Sequence, residues 1–346
     1  MADPASFAVV PVDVLDPAAG ALFAAWNATF TAVDRAVFGP SEQGWTLEEL
    51  RGKATSPYAA LLALAAVDRD GRVVGAARVE LPTEDNGHLA NATLAVDPAT
   101  PAPDLPLVAG PLLAEVETRV REAGRSVLLI ENQTATEGVD ALGEGFLARH
   151  GFVTAQTDVR SELPLPADAD RLAALAQAGP GGAAYGLETA VDRMPPSWLV
   201  DRARLQARMS TDAPLGDVPL EPEEWTPTRM RDWVQQTLDS GRRYVETVVR
   251  HADTGPLVGF TTLTVSAGDP TLAYQWDTLV LSEHRGHGLG LRLKAANALA
   301  LQREAPTVTR IRTWNADDNA HMLAVNTTLG FRPVGALREW QKKLTA

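Results

Sequence analysis

With 346 residues, 45% of them hydrophobic, the chain is long enough for two domains, each with its own core. The lack of cysteine excludes disulfides and thiolate chemistry, and the six histidines show no metal-ligand spacing, so no metal is predicted. A formal charge of −13 disfavours nucleic acid as a partner, and no apolar segment reaches the roughly 18 to 20 residues of a membrane span. We therefore expect a cytoplasmic protein that binds neither nucleic acid nor membranes.

Three segments of the first half recur in the second half in the same order. "VVGAARVEL", "TLAVDP" and "ARHGF" match "LVGFTTLTV", "TLVLSE" and "TTLGF", which follow them by 184, 185 and 179 residues. Ordered matches at a nearly constant spacing indicate a duplicated domain. We predict a first domain over 1–163, a linker region over 164–186, where proline, alanine and glycine accumulate, and a second domain over 187–346.

The second half begins its regular pattern with a hairpin. Alternating apolar and polar residues predict strands at about 243–250 and 257–266. A third strand follows in "TLAYQWDTLVL", and its final apolar run, 278–281, is expected to be buried on both faces. Leu289, Leu293, Ala296 and Ala300 then recur at helical spacing, which predicts a helix with one buried stripe.

The turn between that strand and that helix has three glycines in five positions, "GHGLG" at 286–290. Without Cβ atoms a ligand can lie on the backbone, where successive N–H groups and the helix N-terminus favour a phosphate or pyrophosphate. A P-loop needs Gly-Lys-Ser/Thr, and the dinucleotide fingerprint needs another glycine spacing, so neither motif fits. The alternative is a tight turn that binds nothing.

The remaining segments continue the order of elements. "TVTRIRTWN" predicts a strand, "NAHMLAVNTTLG" a short helix closed by Gly330, and "FRPVGALREWQKKL" a final strand. In the first half, the segment equivalent to the glycine-rich turn, "VDPATPAPDLPLVAG", offers four prolines, which lack the N–H that a phosphate would use. Pyrophosphate binding is therefore predicted for the second copy.

Arg285-x-x-Gly288-x-Gly290 is similar to the acyl-CoA loop of the GNAT superfamily of N-acetyltransferases, which also joins a strand to a helix. "WNADDNAHMLAVNTTLGF" resembles a later segment of that family, with an Asn at a strand end, an Asn on the next helix and a closing Gly-Phe. The likeness covers about 240–346, and the whole chain resembles the tandem GNAT proteins. It implies an α/β (α+β) fold of two GNAT-type domains, each a mixed, partly antiparallel sheet flanked by helices.

The resemblance also implies transfer of an acyl group, usually acetyl, from acetyl-CoA or another acyl-CoA to an amine. The strand backbone at Leu279, Val280 and Leu281 is expected to bind the pantetheine arm, and Arg285 is the first residue of the loop motif. Asn315 and Asn319 are candidates to contact the cofactor or to order the site, or else they end a strand and cap a helix. The amides expected at the pyrophosphate are those of Gly286, His287, Gly288, Leu289, Gly290 and Leu291.

Such a reaction needs a base for the attacking amine and an acid for the departing thiolate. Family members often carry the acid as a Tyr four residues before the glycine of the Gly-Phe pair, where this chain has Asn326. Tyr274 is the candidate substitute. Asp277, where the strand enters the site, is the candidate base, with Glu246 and a water-mediated route as alternatives.

We expect the acceptor to be a primary amine of a small molecule. The lysine-poor, alanine-rich composition is typical of bacteria with GC-rich genomes, and a chain with two copies can act as a monomer with an internal pseudo-dimer. A non-catalytic acyl-CoA-binding sensor or scaffold is the alternative, because the first copy lacks the loop. Amine-dependent release of CoA distinguishes the two hypotheses.

Overall fold

The computed structural model describes residues 7–136, 141–142, 145–180, 184–212, 216–252 and 255–344. They form two compact units. Unit 1 contains the described residues up to Asp158, together with Gly216–Pro219 and those from Gly335 onward. Unit 2 contains the described residues of Val159–Leu215 and Leu220–Val334. In the described part of the chain, no helix has the length and apolar character needed to cross a membrane.

Unit 1 is built mainly from the first half of the chain. The elements of this half are β1 (Phe7–Pro11), α1 (Gly20–Phe38), α2 (Leu47–Ala54), β2 (Ala59–Asp68), β3 (Val73–Pro82), β4 (Leu89–Val96), α3 (Leu105–Glu122), β5 (Val127–Ala135), α4 (Phe146–Arg149) and β6 (Val153–Pro164). Strands β1 to β4 pair antiparallel in sequence order, and β4 pairs parallel with β5. The sheet of unit 1 is therefore mixed, as predicted.

The second half repeats this order of elements, with one helix added before its first strand and one more helix after that strand. Its elements are α5 (Ala169–Gln177), β7 (Tyr185–Val191), α6 (Leu199–Ala207), α7 (Met209–Asp212), α8 (Pro227–Asp239), β8 (Arg243–His251), β9 (Leu257–Val265), β10 (Leu272–Val280), α9 (Leu289–Glu304), β11 (Arg310–Ala316), α10 (Ala320–Leu329) and β12 (Arg332–Lys343). The predicted hairpin is confirmed as β8 and β9, although residues 253–254 of its turn lie outside the described residues. The duplication inferred from three short matches is confirmed as a repeated fold.

The last strand of each half crosses into the other unit, with 159–164 of β6 in unit 2 and the part of β12 from Gly335 onward in unit 1. Strand β12 pairs antiparallel with β5 from Gly335 to Lys343, so it completes the sheet of unit 1. Residues 159–164 of β6 lie beside β11 and complete the sheet of unit 2. The predicted domain limits, 1–163 and 187–346, stay a prediction, and α5 of the predicted linker region belongs to unit 2.

Helix α9 is more buried than its predicted stripe. Leu289, Leu293 and Ala300 are buried as expected, but Ala296 is partly exposed, and Arg292, Lys294 and Asn297 are also buried. The reason is that α5, which lies in the predicted linker region, and α10 both pack against α9. Residues 181–183 of that region lie outside the described residues.

The prediction that the run 278–281 is buried on both faces is wrong. Leu279 and Leu281 pack against α9 in the core, whereas Thr278 and Val280 remain partly exposed. The physical reason is that the parallel pairing of β10 with β11 ends before this run, at Tyr274.

Candidate active site

A gap opens in the sheet of unit 2 between β10 and β11. The two strands pair in parallel only from Leu272 to Tyr274, opposite Arg310 to Arg312, although both continue further. On its other side β10 stays paired with β9, with a bulge between Gln275 and Thr278. The described residues of β10 beyond Tyr274 thus present backbone N–H and C=O groups to the gap, where an extended ligand can pair as an additional strand.

The glycine-rich turn lies at the end of β10 and starts α9. Gly286 and Gly288 have φ angles of +83° and +69°, in the left-handed region that favours glycine, and Gly288 is the N-cap of α9. A Cβ atom added at Gly286 or Gly290 would meet open space, with no atom within 4 Å beyond its own chain neighbours and the backbone of α9. Since the first N–H groups of a helix have no intrahelical acceptor, the turn provides amides beside open space, as an anion site requires.

Arg285 is held at the entrance of this turn. Its Nε donates to the backbone oxygen of Val280 at 3.1 Å, and its Nη2 lies 3.9 Å from Asp212 Oδ2. About half of the Arg285 side chain is exposed. The predicted loop residues Leu279, Val280, Leu281, Arg285, Gly286, His287, Gly288, Leu289, Gly290 and Leu291 therefore form one continuous strand, turn and helix start.

Histidines surround Tyr185 beside the turn. The Tyr185 hydroxyl lies 3.1 Å from His284 Nδ1, and its ring centroid is 5.2 Å from that of His287 and 5.0 Å from that of His251. Burial, followed by the neighbouring His251, lowers the pKa of His284. His284 is therefore mainly neutral at pH 7 and serves as a hydrogen-bonding group rather than as a fixed charge.

Asp277 lies in the bulge of β10 and is partly exposed. Its Oδ2 accepts a 2.7 Å hydrogen bond from Gln206 Nε2 on α6. Gln206 Oε1 in turn accepts from Arg202 Nη2 at 3.3 Å, and Arg202 forms an ion pair with Glu246. Asp277 is thus oriented by α6, a helix for which the sequence offered no functional signal.

Glu246, the alternative base, is fully enclosed. Arg202 and Tyr244 donate to opposite oxygens of its carboxylate, and Thr262 Oγ1 donates at 3.3 Å. Burial raises the pKa of Glu246, and the Arg202 guanidinium opposes this rise. Because its side chain has no exposed surface, Glu246 orients its neighbours, whereas Asp277 is the carboxylate that a ligand can reach.

Tyr274 lies at the last paired position of β10, where the gap begins. Its ring is stacked on Trp314 with a centroid distance of 6.0 Å, and the Arg242 guanidinium lies 5.6 Å from the ring centroid. Trp276, on the same strand, is 43% exposed, and its Nε1 donates to Thr264 Oγ1 at 2.7 Å. An aromatic surface therefore lines the start of the gap.

The two predicted asparagines have different surroundings. Asn319 caps α10, since its Oδ1 accepts from the Met322 N–H at 3.1 Å. Asn315 Oδ1 accepts from Asn326 Nδ2 at 2.6 Å, and Asn326 Oδ1 accepts from Lys294 Nζ at 2.7 Å. The structure thus brings Asn315 and Asn326 together with Lys294, which the sequence pattern had not singled out.

Comparisons with known proteins agree with this geometry. The family model described as the Acetyltransferase (GNAT) family matches residues 212–331. A tandem GNAT protein from the clavulanic acid biosynthesis pathway is 26% identical, with 98% of this chain and 99% of that chain covered and a TM-score of 0.76. A GCN5-related N-acetyltransferase from Sphaerobacter thermophilus is 14% identical, with 100% and 98% coverage and a TM-score of 0.66. No relative was found among curated proteins.

The fold is that of the GNAT-type acyltransferases. The chain has the architecture of a tandem GNAT protein, and its residues 212–331 form a GNAT-family domain. Yeast N-myristoyltransferase, solved with myristoyl-CoA, shares the fold at 13% identity, with 100% of this chain and 82% of that chain covered and a TM-score of 0.59.

Proposed function

We propose that unit 2 transfers an acyl group, most simply acetyl, from an acyl-CoA to a primary amine of a small molecule. The observation that carries this proposal is the combination of the β10–β11 gap with the glycine-rich turn at its end. The gap suits an extended pantetheine arm, and the turn suits a pyrophosphate. In the first copy the equivalent segment between β4 and α3 contains a 3-10 turn, Ala102–Asp104, flanked by prolines, and offers no comparable row of amides.

The residues present fit acyl-CoA. The open space beside Gly286 and Gly290 leaves room for phosphate oxygens, and the first-turn amides of α9 can donate to them. The backbone of Leu279, Val280 and Leu281 would bind the pantetheine, with Arg285 at the entrance of the turn. Asn319 would act indirectly, by fixing the start of α10. When bound, acyl-CoA supplies the acyl group as a thioester.

Asp277 is the proposed general base. Its carboxylate is partly exposed in the bulge and held by Gln206, so it can accept a proton from an incoming amine, directly or through a water molecule. Tyr274 and Trp314 would shape the acceptor end of the gap, with the Tyr274 hydroxyl as the proton donor to the leaving group. Asn326, which stands where relatives often have the acid, has no proton to give at neutral pH and is assigned an orienting role.

The proposal is tested by amine-dependent release of CoA from acetyl-CoA, with a panel of small primary amines as acceptors. We expect release with at least one class of amine. Asp277→Asn should lower kcat about 100-fold, because general-base catalysis typically contributes at least this much to the rate. Asp70→Asn, an exposed carboxylate in the β2–β3 turn of unit 1, is the matched control and should leave kcat unchanged.

Two features also suit the alternative, a non-catalytic acyl-CoA sensor or scaffold. Asn326 has no proton to give, and the first copy has no row of amides comparable to the glycine-rich turn. Binding of acetyl-CoA without release of CoA for any amine would favour that function over transfer. Because the chain carries both copies of the domain, we propose that it acts as a monomer, which light scattering in solution can test.

A further inference from the structure

Lys294 is a buried lysine that has no carboxylate partner among the described residues. Its side chain, on α9, is 2% exposed, and its Nζ donates to Asn326 Oδ1 at 2.7 Å and lies 5.3 Å from the centre of the Phe331 ring. Lysine is rarely fully buried unless it is paired, since burying its charge is costly. A side chain kept at this cost needs an explanation other than stability.

The chemistry of Lys294 forces the orientation of two amides. An ammonium group only donates, so Asn326 must present its oxygen to Lys294 and its NH2 group to Asn315. Asn315 then presents its oxygen to Asn326, which leaves its own NH2 group directed elsewhere. The three side chains form a relay in which every hydrogen bond runs in one direction, from Lys294 to Asn315.

The relay ends on β11, beside the gap between β10 and β11. Asn315 is the third residue beyond Arg312, the last residue of β11 that pairs with β10, and it is partly exposed, whereas Asn326 is 3% exposed. A hydrogen bond accepted by an amide oxygen makes the N–H groups of the same amide better donors, and a charge at the start of the chain increases this effect. The exposed end of the relay is therefore the place where the buried charge acts.

This inference rests on the proposed function. In acyl transfer, the bond between the amine nitrogen and the acyl carbon forms as the carbon–sulfur bond breaks. The electron pair of that bond stays on sulfur, the proton of the amine goes to Asp277 or water, and a proton from Tyr274, which solvent replaces, restores the thiol. We propose that Lys294 is a positioning residue that, through Asn326, orients and polarises Asn315, so that the Asn315 amide stabilises the negative charge developing on sulfur.

The charge state of Lys294 makes the relay sensitive to pH. Burial lowers the pKa of Lys294 to about 7. The groups that face the ammonium, Asn326 Oδ1 and the Phe331 ring, are neutral. The shift is due to burial alone. The titratable residues on the elements packed against α9 are not among its causes; they include Asp170 and Arg171 on α5, Glu246 on β8, Tyr274 and Asp277 on β10, Arg312 on β11 and His321 on α10. The relay is charged below this pKa and loses its charge as the pH rises through it.

The chain has four lysines, Lys53, Lys294, Lys342 and Lys343, so lysine labelled with carbon-13 at Cε gives a spectrum that can be assigned by substitution. In the wild-type protein we expect one resonance, lost in Lys294→Met, to titrate near neutral pH, well below the usual lysine pKa of about 10.4. Saturating CoA should raise the pKa of Lys294 that this resonance reports. A Lys294 that titrates with the other lysines, or whose pKa does not respond to CoA, would overturn the proposal.

The second readout is the thiol pKa of bound CoA, followed by thiolate absorbance during a pH titration. A thiol ordinarily titrates at about pH 8.5, where Lys294 has lost its charge, so the comparison uses Lys294→Arg, which stays charged. We expect this pKa to be about one unit lower in Lys294→Arg than in Lys294→Met or Asn326→Leu, because an opposite charge favours the thiolate. Lys343→Met, an exposed lysine on β12, is the matched control. If Lys294→Met does not fold, Asn326→Leu takes its place, because it interrupts the relay between Lys294 and Asn315. The carbon-13 titration of the wild type tests the proposal without any variant.

Kinetics separate a positioning role from a structural one. Lys294→Met should lower kcat about tenfold with little change in KM for acetyl-CoA, and Lys294→Arg should recover much of the rate and remove the decline of kcat through neutral pH. If CoA binds and acyl transfer proceeds but the thiol pKa is the same in Lys294→Arg and Lys294→Met, this inference fails while the proposed function stands. If no variant, including the wild type, binds CoA, both fail.

Discussion

Arg202 and Glu246 form an ion pair that is closed off from solvent, with 1% and 0% of their side chains exposed. The Arg202 guanidinium also lies 3.5 Å from the centre of the Phe260 ring and donates to Gln206, which holds Asp277. A single buried pair thus fixes α6 to the sheet and orients the partly exposed carboxylate in the bulge of β10.

This ion pair predicts strongly non-additive effects on stability. Glu246→Leu leaves the Arg202 charge buried without its partner and should lower the free energy of unfolding by about 3 to 5 kcal/mol, and Arg202→Met should cost a similar amount. The double variant should lose much less than the sum of the two. Urea unfolding of the four proteins provides this cycle, and additive losses would mean that the two residues do not act as a pair.

Gln206→Leu predicts a kinetic effect without a large change in stability. If unit 2 has the proposed function, freeing Asp277 should lower kcat about tenfold and leave KM for acetyl-CoA unchanged, because Gln206 contacts the base and not the loop. Gln235→Leu, which removes a hydrogen bond to Asp239 on the exposed side of α8, is the control. Equal rates in the two variants would argue against Asp277 as the base.

Unit 1 contains a carboxylate that predicts pH-dependent stability. Glu339 on β12 faces Glu131 on β5, and burial, followed by Glu131 and Asp158, raises its pKa to about 7. Because the folded-state pKa lies above the ordinary 4.5, folding favours the protonated form of Glu339. The stability that the protein has below pH 4.5 is therefore partly lost as the pH rises through 7. Glu339→Gln should therefore be as stable as wild type at pH 4 and more stable at pH 8, by at most about 3 kcal/mol.

Thermal unfolding at both pH values measures the effect of Glu339→Gln. The exposed Glu84→Gln in the same unit is the control for removal of one charge. A stabilisation of the same size at pH 4 and at pH 8 would show that ionisation of Glu339 is not its cause.

The strand exchange predicts that the halves of the chain depend on each other. Deletion of residues 335–346 removes the strand that pairs with β5, together with the contact of Lys342 Nζ with Glu117 at 2.6 Å. We expect unit 1 to lose amide protection and the truncated protein to aggregate through the uncovered edge of β5. A peptide of residues 335–346 should restore protection and a scrambled peptide should not, whereas full protection in the truncated protein would contradict the exchange.

Much of unit 2 could be predicted from the sequence because its signals are local. Alternating apolar and polar residues predict strands β8 and β9, and Gly330 predicts the end of helix α10. The glycines at 286 and 288, both with positive φ angles, predict the turn. The burial of Lys294 could not be predicted, because it depends on α5 and α10 packing on a helix face that reads as polar.

The other missed features depend on pairings between distant segments. Gln206 and Arg202 lie on a short helix without a motif, and their roles appear only when α6 packs against β8 and β10. The pairing of β6 and β12 could not be predicted from their sequences. The alternating pattern of a strand is the same in either sheet, so it does not indicate which sheet the strand joins.

The most direct test of the account is calorimetric titration of acetyl-CoA into the protein and into two glycine variants. Gly290 on α9 and Gly110 on α3 are both helical and both have open space where a Cβ would lie, so Gly290→Glu and Gly110→Glu impose similar changes on the two copies. We predict one binding event that is lost in Gly290→Glu, because the new carboxylate repels the pyrophosphate, and kept in Gly110→Glu. Binding that survives in Gly290→Glu, or that is lost in Gly110→Glu instead, would contradict the assignment of the acyl-CoA site to unit 2.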